Sequence, residues 1–361
     1  MVRRPVLDFF CFVCVIAGFG SSGQASAQSP AQAAAPAAQS VAAAADPAMP
    51  KDANAAMLLA ARVNGLSGAD MKPWHLKASY QTFDADGKPK DQGTFEEWWA
   101  GPGKYKFSYT SKGFNQVEYR NGEKNLQTGD AGLAPFREAM VEEYLVHPLP
   151  NEAEIDKWKY IAKARKIGRA VLMCAEPLPP TKGQFAPMLT YCFDQQTPVI
   201  RLEQSSDDFF VLFNSTFRVG NHYSAKQILV GDSNLSIVRV DVTTLEFLPK
   251  IEEATVTAPA LATNDPAIRV KSWMIAGSRI SGENVHYPWQ ARQDRVQGLV
   301  MLEATITQAG DISSLEVVSG PKELRQSAFD AVKTWKYKPY LLNGQPVEVE
   351  TQVNVVFTLG G

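Results

Sequence analysis

Four histidines, four cysteines and 38 carboxylates are the groups with which this 361-residue chain could do chemistry, and their spacing excludes most of it. His75, His147, His222 and His286 are scattered along the chain, without the close pairing that holds a metal. Serine, histidine and aspartate occur, but without a nucleophile elbow or a glycine-rich phosphate loop to organise them. Asp207-Asp208 and Glu142-Glu143 read as solvated faces rather than acid–base pairs. The expectation is therefore a protein that is not an enzyme and takes neither cofactor nor metal. The 36 Lys and Arg nearly cancel the 38 Asp and Glu and form no long basic run, which argues against nucleic acid as a partner.

The cysteines point to a compartment. Arg3 and Arg4, an apolar run from Phe9 to Phe19 and the small residues Ala25-Ser26-Ala27 have the order of an export signal cleaved after Ala27. That run falls short of the ~20 apolar residues of a spanning helix. An uncleaved inner-membrane anchor is the rival reading. Cleavage leaves 361 − 27 = 334 residues, a length that suggests two domains. It also leaves only Cys174 and Cys192. In an exported protein two cysteines most simply pair, and both sit in strand-like runs joined by a Pro- and Gly-containing loop, so a hairpin can bring them together. Two buried thiols are the alternative.

The elements that would position these groups are mostly strands. Residues 28–50, rich in Ala, Gln, Pro and Ser, read as a flexible tether with a fully extended limit of roughly 80 Å. Residues 51–248 read as one β-rich domain. A helix is expected over Asn54 to Leu66, then strands at Leu76–Thr82, Thr94–Ala100 and Tyr105–Tyr109, and a hairpin about Asn121-Gly122. Helical spacing returns at Phe136, Met140, Val141, Tyr144 and Leu145, and strands resume to Leu248. Trp98, Trp99, Tyr105, Phe107 and Tyr109 either pack a core or line a greasy ligand cavity. Residues 249–264, without strong periodicity, read as a linker to a second domain, 265–361.

In that second domain Val300, Leu302, Ala304 and Ile306 share one strand face, Gly310-Asp311 turns the chain, and Ile312 to Ser319 returns. Ser319-Gly320-Pro321 starts a helix whose apolar face is Leu324, Ala328, Ala331, Val332 and Trp335. After Asn343-Gly344 comes a long alternating strand: Val347, Val349, Thr351, Val353, Val355 and Phe357 face one way, and Glu348, Glu350, Gln352 and Asn354 the other. Its 11 residues would extend about 36 Å. Such a strand closes its own sheet, accepts a partner strand by β-augmentation, or pairs with a second copy of itself.

Tyr287-Pro288, Ala291-Arg292, Gly298 with the strand after it, Gly310-Asp311, Trp335, Tyr337-Lys-Pro339 and Asn343-Gly344 resemble, in order and spacing, the C-terminal domain of TonB-type energy transducers. The resemblance covers about a fifth of the chain. It implies a small ββαβ module that docks, through a strand edge at Val347 to Val355, onto a short N-terminal segment of an outer-membrane TonB-dependent transporter. The first domain, a helix followed by a long antiparallel sheet interrupted by a helix, more faintly resembles the LolA-like lipoprotein carriers, through Trp98-Trp99 and Tyr191 to Asp194. That implies a curved half-barrel able to hold lipid or acyl chains. The expected fold class is α+β, and the expected location the periplasm.

Overall fold

The computed structural model describes residues 46–122, 124–178, 189–205, 209–232, 235–264, 267–275 and 277–359. The expected signal peptide, with Cys11 and Cys14, and the tether up to residue 45 lie outside the described residues. Residues 45–361 form one compact unit. Among the described residues no helix is long and apolar enough to cross a membrane.

Helix α1 (Ala53–Val63) is capped by Asp52, whose carboxylate accepts from the Ala55 amide at 2.8 Å. Its buried positions Ala53, Ala56, Met57 and Ala60 recur at helical spacing. A meander follows: β1 (Trp74–Phe83), β2 (Pro89–Gly101), β3 (Lys104–Ser111), β4 (Asn115–Asn121) and β5 (Lys124–Gly129). Helices α2 (Phe136–Val146) and α3 (Glu152–Ile155) separate it from a second meander. That one comprises β6 (Lys159–Ile167), β7 (Ala170–Leu178), β8 (Leu189–Asp194), β9 (Ile200–Ser205), β10 (Phe209–Val219), β11 (His222–Asp232) and β12 (Leu235–Phe247). Pairing of β1 with β12 joins the two into a single curved antiparallel sheet of twelve strands, in the order β5-β4-β3-β2-β1-β12-β11-β10-β9-β8-β7-β6.

Period-two alternation sends Leu76, Ala78 and Tyr80 of β1, and Phe95 and Trp99 of β2, into one continuous core. Phe136, Met140, Val141, Tyr144 and Leu145 of α2 join that core, covering the inner face of the sheet around β1, β11 and β12. On the opposite face Cys174 and Cys192 are directly paired in register and form a disulfide, packed with Leu172 and Leu202.

Residues 249–264 pack against the sheet more closely than a free linker. The short helix α4 (Glu253–Val256) buries Val256 against β2 and β3, and Thr263 exchanges two backbone hydrogen bonds with Gln127 of β5, at 2.7 and 2.9 Å. Then come β13 (Ile268–Arg269), α5 (Ser272–Ile275), β14 (Arg279–Ser281) and α6 (Trp289–Gln293). The C-terminal module proper is β15 (Gly298–Ile306), β16 (Ile312–Ser319), α7 (Lys322–Val332), β17 (Lys336–Tyr337), β18 (Leu341–Leu342), β19 (Gln345–Pro346) and β20 (Val349–Phe357). Its four-stranded sheet has the order β13-β20-β15-β16. Ser319 ends β16, and the residue flanking the α7 start is Pro321.

Both faces of this small sheet are covered. Leu324, Ala328 and Val332 of α7 pack on Val300, Leu302 and Ala304, as the alternation requires. On the reverse face Leu299, Met301 and Val318 merge with the core of the twelve-stranded sheet. The unbroken apolar run Leu299–Leu302 is the mark of a strand buried on two sides. Polar contacts seal the junction. Arg137, 3% exposed, donates to Glu316 at 2.7 Å and to the Val317 and Val318 carbonyls, while Arg325 donates to Asp86 and to the Ala85 carbonyl at 2.6 Å each.

Candidate functional site

The strand expected at Val347 begins two residues later, at Val349; Val347 and Glu348 precede it. β20 is also not a bare edge at its start. Ile268 and Arg269 pair with it in parallel, opposite Val349 and Glu350, with the Ile268 and Val270 amides donating to the Glu348 and Glu350 carbonyls at 3.3 and 2.9 Å. Those two carbonyls show which backbone groups face outward. Along an unbroken strand the alternation continues, so the amides and carbonyls of Gln352, Asn354 and Val356 point to the side that β13 leaves after Arg269, and those of Thr351, Val353 and Val355 point to β15. Asn354 and Val356 are exposed and Gln352 half-buried, its side-chain amide resting 3.3 Å from the Met301 sulfur.

Beside this open stretch lies a cavity of about 970 Å3. Gln352, Val353, Asn354 and Val356 form part of its wall. Leu189, Tyr191, Glu203 and Phe209 of the large sheet and Tyr144 of α2 line the same cavity. Tyr191 and Glu203 are direct cross-strand neighbours, as are Leu189 and Ser205. Glu203 is 8% exposed. Burial pushes its carboxyl up to about 8, Glu143 adds to the shift and Lys271 opposes it. Partial desolvation in the cavity wall raises Glu143 too, although it is exposed, again against Lys271, whose ammonium stands 3.9 Å from Glu154.

The module's other carboxylate in unusual surroundings is Glu303, which accepts from the Phe136 amide at 3.1 Å. Burial raises it to about 7, while Arg269 pulls it down and Glu350 pushes it up. Arg269 is held by Glu350 at 2.6 Å and by the Ala134 carbonyl, and lies over the Phe136 ring. The β13 strap is therefore tied both to β20 and to the large sheet's helix connection.

Of the five aromatic residues read as core or cavity, Trp99, Phe107 and Tyr109 are buried in the core with Phe95 and Phe114, Tyr105 packs partly against them, and neither these four nor Trp98 line the cavity. Trp98 points to the opposite face, stacked on the His75 ring at 3.6 Å. The motif residues have structural tasks. Tyr287 donates to the Val296 carbonyl and sets its ring edge-on to Phe357, and Pro288 precedes α6. A Cβ at Gly298 would stand 2.9 Å from Pro321, and Gly344, at φ 80°, turns the β18–β19 hairpin. Trp335 donates to the Glu283 carbonyl at 2.9 Å and carries Arg279 over its ring; Pro339 follows Tyr337 into the connection to β18. Of these only Trp335 reaches the cavity.

Glu203 and Lys271 were not singled out by the sequence. Glu143, read as part of a solvated face, is exposed and also lines the cavity, and Glu203 is turned inward by an irregularity. Cys192 pairs with Leu202 but Phe193 with Ile200, so Arg201 is an extra residue that shifts the alternation by one. Among the described residues no group of three or more His, Cys, Asp or Glu side chains could hold a metal ion.

Residues 283–359 match the family model for the Gram-negative bacterial TonB protein C-terminal domain. Protein TonB of Vibrio cholerae serotype O1 is 35% identical over 77 residues, which is 21% of this chain and 32% of that protein. The chain thus spans about a third of the length of the curated relative it matches. Among solved structures, a LolA superfamily protein from Nitrosomonas europaea aligns with a TM-score of 0.38 at 8% identity, over 57% of this chain and 98% of its own. A putative outer-membrane lipoprotein-sorting protein domain from Vibrio parahaemolyticus aligns at 0.34 and 10%, over 51% and 88%. Residues 283–359, which carry β20 and its open stretch, are similar to the C-terminal domain of the TonB family.

Proposed function

We propose that this is a periplasmic, envelope-associated protein whose C-terminal module docks by β-strand pairing onto a short N-terminal segment of an outer-membrane transporter, in support of energy-coupled transport. One observation carries the reading. Within the segment that matches the TonB family, three successive outward-facing backbone positions of β20, at Gln352, Asn354 and Val356, have no backbone partner among the described residues beyond the end of β13. Backbone groups of that kind bind an added strand without demanding a particular side chain.

The experiment replaces Gln352. Proline removes one donor and bends the strand, whereas alanine keeps the backbone. In a folded protein, verified by circular dichroism, Gln352→Pro is expected to abolish binding of transporter N-terminal peptides and Gln352→Ala to leave it almost unchanged. A folded proline variant that still binds the peptide moves recognition to another edge.

A second reading, carriage of an amphiphile such as a lipid or acyl chain, is favoured by the cavity of about 970 Å3 and its lining of Tyr144, Leu189, Tyr191 and Phe209. Native mass spectrometry of the purified chain, followed by fatty-acid uptake, separates the two. A consistently empty protein that takes up no fluorescent fatty acid rules out carriage.

A further inference from the structure

The open stretch of β20 and the cavity are one place. Gln352, Asn354 and Val356 present unpaired backbone groups and are themselves part of the cavity wall. Also in the wall, Glu203 is 8% exposed and has no hydrogen-bond partner among the described residues, although it feels the charges of Glu143 and Lys271. Glu203, Glu143 and Glu154 share Lys271, and Arg269 is already engaged by Glu350. The cavity wall therefore offers two unmet demands: a row of backbone donors and acceptors at β20, and a buried carboxyl without a hydrogen-bond partner at Glu203.

We propose that the cavity is a peptide-reading cleft, in which an extended segment of a partner protein pairs with β20 at Gln352, Asn354 and Val356 and sets a lysine or arginine side chain against Glu203. The proposal rests on the docking reading above and adds to it the part played by the twelve-stranded sheet, which then selects the partner's side chains while β20 holds its backbone. An acyl chain satisfies neither demand, since it carries no hydrogen-bonding groups along its length. A strand satisfies both. The dimensions agree: the five residues from Gln352 to Val356 extend about 17 Å, the length of a short strand. A buried carboxyl without a partner is costly, and a cation brought by the ligand relieves that cost only for ligands that carry one, which is a selective contact.

The test uses the full chain on an immobilised array of randomised octapeptides in which one central position is fixed in turn as Lys, Arg, Gln or Glu. Wild type is expected to be retained at least fivefold more on the Lys and Arg sets than on the Gln and Glu sets. Glu203→Gln should bring the Lys-to-Gln retention ratio close to one. Folded Gln352→Pro should lose retention on every set. If Gln352→Pro abolishes binding but Glu203→Gln keeps the cationic preference, docking at β20 stands and the cleft proposal falls. If no set retains the wild type, both fall. Should Glu203→Gln not fold, Lys271→Gln replaces it: removing the competing cation should widen the preference for Lys, and an unchanged ratio overturns the proposal. A cavity found filled with lipid that the peptides do not displace also overturns it, in favour of amphiphile carriage.

Discussion

The two halves of the large sheet treat the same kind of residue in opposite ways. In β2 and β3, inward-facing Phe95, Trp99, Phe107 and Tyr109 form a filled core. In β8 to β10, inward-facing Tyr191, Glu203 and Phe209 border open space. Each half also buries a carboxyl beside α2: Glu97 near Glu142, and Glu203 near Glu143. Glu97, 1% exposed, is enclosed in protein, whereas Glu203 looks into the cavity. A sheet face is thus a core or a binding surface according to what stands over it, not according to how aromatic it is.

That contrast can be broken most forcefully at Trp99. In the filled half Trp99→Ala leaves a hole that its neighbours cannot close and should cost ~3–5 kcal/mol in chemical denaturation, whereas Leu189→Ala, at a wall that already borders space, should cost only ~1 kcal/mol. Equal losses would erase the distinction between the halves. Reduction of the Cys174–Cys192 disulfide, which spans 18 residues in sequence, should cost about 3 kcal/mol, confined to the cavity half. Thiol labelling of the unreduced protein should find neither cysteine free.

Glu203 sharpens the comparison through pH. Its folded carboxyl holds a proton up to about 8, against an ordinary 4.5, so the folded state binds more protons than the unfolded state between those values. Its contribution to stability is full below 4.5 and is lost as pH rises through about 8. Glu203→Gln, which stays neutral, should therefore stabilise the protein at pH 8.5 by up to about 5 kcal/mol and change little at pH 5. Loss of stability in the variant at pH 8.5 would mean that the carboxylate has a partner. Burial likewise raises its counterpart Glu97 well above its ordinary value, so Glu97→Gln should act with the same sign, stabilising the protein increasingly as pH rises above the ordinary carboxylate range.

What the sequence conveyed follows the same division. The C-terminal module was legible because its strands alternate cleanly and its turns need particular residues, as at Asn343-Gly344. The meander of β1 to β5 was legible for the same reason. The cavity was not, because Arg201 displaces the alternation in β9 and turns Glu203 inward where simple counting from Ile200 turns it outward. Nor was β13, two residues long and parallel to β20, since a strand of that length has no period to detect. The double-sided burial of β15 was written in Leu299–Leu302, whose unbroken apolar run exceeds what α7 alone could cover.

The alternation along β20 has a consequence for isotope labelling. Amides of Thr351, Val353 and Val355 are locked to β15 and should exchange with deuterated solvent only when the module opens as a whole. Those of Gln352, Asn354 and Val356 wait on no such event, whereas Val270, bonded to the Glu350 carbonyl, is shielded by the strap. One strand should thus carry fast and slow amides in strict succession, and an occupant of the open stretch would write itself into that record by slowing only the fast set.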